Sequence, residues 1–122
     1  MRRGNGSASQ PKEDLLKIDK DCFVEADLER EYAQTVVDTC RKHGIKVVWI
    51  KSTQTQHGTH FYIKTNPPVD ALTANNLQYL LGDDSKRVAF NKARVKSGLP
   101  GWNKLIERPN VRLRTIYRLV KS

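Results

Sequence analysis

Apolar and polar positions along this chain alternate in blocks that predict seven elements. Leu15 to Asp21 has the period of a strand, with Leu16 and Ile18 on one side and Lys17, Asp19 and Asp21 on the other. From about Asp27 to His43 the period changes to that of a helix. Leu28, Tyr32, Val36 and Cys40 recur every fourth residue with Ala33 and Val37 beside them, Asp27 suits the N-cap, and Gly44 stops the run. Ile45 to Lys51 is rich in strand formers, Thr53 to Gly58 is a polar loop, and Thr59 to Lys64 alternates again, with Phe61 and Ile63 opposite His60, Tyr62 and Lys64. Pro67-Pro68 is expected to break the chain. A helix is predicted from about Asp70 to Leu81, with Leu72, Leu77, Leu80 and Leu81 as its apolar positions. A third follows from Asp83 or Asp84 to about Lys96, then a turn at Gly98 to Gly101. Val111 to Leu119 reads as a last strand with Arg112, Arg114, Ile116 and Arg118 along one face.

The order β-α-β-β-α-α-β has a compact solution of the α+β class. It is a ferredoxin-like or RRM-like sandwich, an antiparallel four-stranded sheet with helices on one face. In that arrangement the first and third strands are neighbours at the centre. Lys17, Asp19, Asp21, His60, Tyr62 and Lys64 then share the sheet face away from the helices, and the arginines of the last strand flank them from the edge. A chain of 122 residues forms one domain, expected over residues 14–122, with residues 1–13 as a disordered polar tail.

Charge sharpens this picture. The formal net charge is +9 and the pI about 9.8, but the excess is local. Residues 1–84 hold 11 lysines and arginines against 12 acids, whereas residues 85–122 hold 11 against Glu107 alone. A basic half beside a neutral half is the footprint of a polyanion-binding surface, nucleic acid first among polyanions; the alternative is a solvated basic surface that maintains solubility. No apolar run is long enough to cross a membrane. Cys22 and Cys40 lack metal-ligand spacing, and reduced thiols point to an intracellular setting, cytoplasm or nucleoid.

Four groups of residues carry candidate chemistry. Asp19 and Asp21, two carboxylates at i and i+2, are the spacing that holds a hard divalent cation; the competing reading is ion pairing with Lys17, Lys64 or the arginines. His60 could contact phosphate or transfer a proton, or stand as a solvated sheet histidine, and pairing it with His57 on a metal fits the spacing poorly. Tyr62 could stack a base, or cover neighbouring apolar stems. Arg87, Lys92, Arg94 and Lys96 of the third helix, with Arg112, Arg114 and Arg118, form a phosphate-contacting set. Trp49 and Trp102 read as core and anchor residues. No nucleophile–base arrangement and no glycine-rich phosphate loop is present.

The sequence of motifs resembles the catalytic core of archaeo-eukaryotic primases and primase-polymerases. The residues that carry the likeness are the strand with Asp19-Lys20-Asp21, the helix, the strand opening at Gly44-Ile45, and then Ser52 and Gly58-Thr59-His60-Phe61. The likeness covers roughly residues 15–64. It implies an RRM-like half in which Asp19 and Asp21 ligate Mg²⁺ or Mn²⁺ and His60 contacts the phosphates of an incoming nucleotide. The family's third acid lies on a later strand, where this chain carries Arg112, Arg114 and Arg118, with Glu107 nearest. The expectation is therefore a nucleic-acid-binding protein of DNA replication or processing. Two alternatives stand beside it, a metal-dependent nucleotidyltransferase or nuclease and a protein-interaction subunit.

Overall fold

The computed structural model describes residues 12–20, 22–56, 58–83, 85–97 and 112–120. Asp21, His57, Trp102, Glu107, the predicted turn at 98–101 and nearly all of the tail lie outside the described residues, as do the side chains of Arg87 and five neighbours in the third helix. The elements are β1 (Glu13–Lys20), α1 (Ala26–Lys42), β2 (Lys46–Gln54), β3 (Thr59–Val69), α2 (Ala71–Leu80), α3 (Ser85–Lys96) and β4 (Arg114–Arg118). They form an open four-stranded antiparallel sheet with helices packed on it, the α+β layout expected.

The strand order is β1-β3-β2-β4. β1 and β3 are neighbours as anticipated, but β1 lies at an edge, and β4 pairs with β2. The edge of β1 shows why. Two of its backbone groups are already bonded by residues of α2 and the turn after it: Gln78 Nε2 donates to the Lys17 carbonyl at 3.1 Å, and the Asp19 N–H donates to Asp83 Oδ1 at 2.8 Å. A strand edge satisfied by side chains no longer offers a ladder to another strand.

One sheet face packs against α1 and α2. Leu16, Ile18, Ile50, Phe61 and Ile63 from the strands meet Ala33, Val36, Val37 and Cys40 of α1 and Ala74 and Leu77 of α2 in a single core. Tyr32 lies against Phe61 with ring centroids 4.5 Å apart, and its hydroxyl donates to the Leu81 carbonyl. Burial pushes this phenol's pKa well above its ordinary value, so it stays a donor.

Several local expectations are corrected. The buried stripe of α1 runs Glu29, Ala33, Val36, Val37, Cys40, whereas Leu28 is exposed; the helix starts at Ala26 with Glu25, not Asp27, at its N-cap. In α2, Asp70 caps by accepting from the Thr73 N–H at 3.2 Å, and Leu77 is buried, but Leu72 and Leu80 face outward. Pro67-Pro68 does not end β3, which continues to Val69. Neither proline has a ladder partner on either side, so their missing N–H groups cost the sheet nothing.

Candidate nucleic-acid interface

The register of the sheet fixes which side chains share the face away from α1 and α2. Asp19, His60 and Thr53 stand in one cross-strand row. Lys17, Tyr62, Lys51 and Thr115 form the next, and Leu15, Lys64, Trp49 and Arg118 the third. Cross-strand neighbours on one face are close enough to touch. This brings together Lys17, Asp19, His60, Tyr62, Lys64 and Arg118 among the residues singled out in the sequence.

The face is not open along its middle. Tyr62 and His60 are each only 7% exposed, so β3 is buried on both sides. Tyr62 lies between Lys17 and Lys51 on the flanking strands, and His60 lies between Asp19 and Thr53. So little of the tyrosine is exposed that its ring does not stand free as a stacking platform. His60 Nε2 is 3.3 Å from Asp19 Oδ1, with the carboxylate the more exposed of the two. Lys64 is held by Asp14, Nζ to Oδ2 at 2.6 Å, and this hydrogen bond holds the Asp14 carboxyl below its ordinary range.

Trp49 and Lys51 belong to this surface, although the sequence reading placed the tryptophan in the core. Trp49 is half-buried, Lys51 Nζ sits 4.6 Å from its ring centroid, and Lys64 and Arg118 lie opposite it in register. A cation above an indole face is attracted by the ring quadrupole. The signal was present in the sequence, since Trp49 and Lys51 alternate with buried Ile50.

The basic face expected of the last strand is split. Ile50 pairs with Tyr117 but Lys51 pairs with Thr115, so Ile116 is an extra residue, a β-bulge. One extra residue inverts the alternation. Arg118 stays with Trp49, while Arg114 turns to the helix side and ion-pairs with Glu29 of α1. Glu29 is 1% exposed and also accepts from the Ser52 hydroxyl. Ser52, which the primase likeness joins to His60 in one motif, thus serves the core on the opposite face. Arg112 and Arg118 are exposed, as are Lys92 and Lys96 on α3, with Arg94 partly buried.

Mg²⁺ takes several oxygen ligands. Here one carboxylate, Asp19, meets one imidazole, and no cluster of three His, Cys, Asp or Glu side chains exists among the described residues. Asp21 lies outside them. No described helix is long and apolar enough to cross a membrane.

No protein-family model, curated protein or solved structure matches the chain.

Proposed function

We propose that this chain is a nucleic-acid-binding module working in DNA replication or processing inside the cell. The observation that carries the reading is the concentration of positive charge after residue 84, where the sequence holds 11 cationic side chains and a single acid. The exposure of Lys92, Lys96, Arg112 and Arg118 supports it, and so does the flank of Lys51 and Arg118 around Trp49. Such a surface binds through phosphate neutralisation and counterion release, which makes affinity steeply salt-dependent and weakly sequence-dependent. Tyr62 and His60 are not contacts in this reading, because they are covered, and Arg114 is not, because Glu29 holds it.

Fluorescence anisotropy with short single-stranded and duplex DNA and RNA, repeated across a salt series, tests the idea. Replacing Lys92, Arg112 or Arg118 by Ala should each flatten the slope of log K against log salt by about one. Negligible affinity for all of these nucleic acids at low salt would refute it.

A second reading, metal-dependent nucleotidyl transfer or nuclease action, rests on the juxtaposition of Asp19 and His60 on adjacent strands. It requires Mg²⁺- or Mn²⁺-dependent activity that Asp19→Asn abolishes. Activity that is unaffected by that substitution, or absent with both metals, removes it.

A further inference from the structure

The C-terminal half of α1 does not cover the sheet completely. Between it, the start of β2 and the end of β4 lies a cleft of about 530 Å³, within the range of small-molecule sites. Val37, Ile45, Val47 and Tyr117 give it an apolar wall, and Arg41 and Lys46 stand at its margin. Among the described residues no acid lines it. Asp38 pairs with Arg41 only loosely, at 3.6 Å between two exposed side chains, an interaction that a better-placed anion can displace.

The end of α1 opposes an anion only weakly. A helix C-terminus carries partial negative charge on its free carbonyls. Here the Cys40 carbonyl accepts from His43 and Ile45 and the Arg41 carbonyl from Gly44, so those oxygens are already engaged. The guanidinium and the ammonium then set the local sign. An apolar wall under two cations selects for an apolar body and against a positive head group.

We propose that this cleft binds a small organic anion with an apolar body, a medium-chain or aryl carboxylate or phosphate monoester. Binding there is independent of the nucleic-acid reading, which uses other residues.

The test is a titration of the ¹⁵N-labelled full chain with octanoate, octyl phosphate and octylamine, each below its micelle concentration. Saturable shifts at Val37, Ile45 and Val47 with octanoate or octyl phosphate, and none with octylamine, are expected; the two anions distinguish the head groups. Arg41→Ala combined with Lys46→Ala, both exposed and so harmless to folding, should weaken binding about tenfold. Three results would overturn the proposal: no saturable shift with either anion, equal binding of the amine, or a double variant that binds like the parent.

Discussion

Removing Arg114 isolates a charge buried beneath α1. Glu29 is 1% exposed, and its two partners are the Ser52 hydroxyl and the Arg114 guanidinium. Breaking one side of a buried pair costs about 3–5 kcal/mol, because the remaining charge keeps its desolvation penalty. Arg114 itself is 59% exposed, so water can approach the vacated side, and the expected cost of Arg114→Ala falls to about 2 kcal/mol. For a domain of this size that is a fall in Tm of about 10 °C. Urea denaturation of Arg114→Ala, Glu29→Gln and the double variant supplies the cycle. The Gln amide still bonds Ser52 and carries no charge, so losing Arg114 in that background should cost less than about 0.5 kcal/mol, leaving a coupling above about 1 kcal/mol. A cost for Arg114→Ala below about 0.5 kcal/mol, or an equal cost in both backgrounds, would refute the argument.

Further expectations concern single groups. The Asp14 carboxyl, held by Lys64, should titrate by NMR below the ordinary Asp value, and Lys64→Met should return it there. Its sign follows from the lowered pKa: the pair supports the fold above the unfolded-state value, and that support is lost as pH falls through the folded one. Thr65 buries a hydroxyl without a hydrogen-bond partner, so Thr65→Val should be neutral or raise stability by about 1 kcal/mol, and a clear loss in urea midpoint would show a partner. Burial pushes the Cys40 thiol up to about 11, while Cys22 is exposed; a thiol reagent at mildly alkaline pH should therefore label Cys22 quickly and Cys40 only on unfolding.

Element order and type were legible from periodicity because the strands and helices keep clean alternation or a clean apolar stripe. What escaped the sequence was decided by single residues that disturb those periods. Glu29 stands at the position the stripe Ala33, Val36, Val37, Cys40 reserves for an apolar residue, and a pattern read by hydrophobicity alone slides to Leu28. Ile116 adds one residue to β4, and nothing in Arg114 to Arg118 announces a bulge. The burial of Tyr62 is a property of the folded chain that alternation within β3 does not contain.

Strand order and the buried charge support each other. Gln78 and Asp83 occupy the middle of the outer edge of β1, and β4 pairs with β2 instead. Docking there, β4 bulges at Ile116, and the bulge points Arg114 under α1 to Glu29. Were β4 beside β1, Glu29 would lose its cation and keep its burial, a state disfavoured by about 2 kcal/mol. The carboxylate therefore penalises the alternative topology more than it strengthens the observed one. Two arginines that read as equivalent members of a basic strand thereby take separate places: Arg114 fixes where the strand goes, and Arg118 stays exposed beside Trp49.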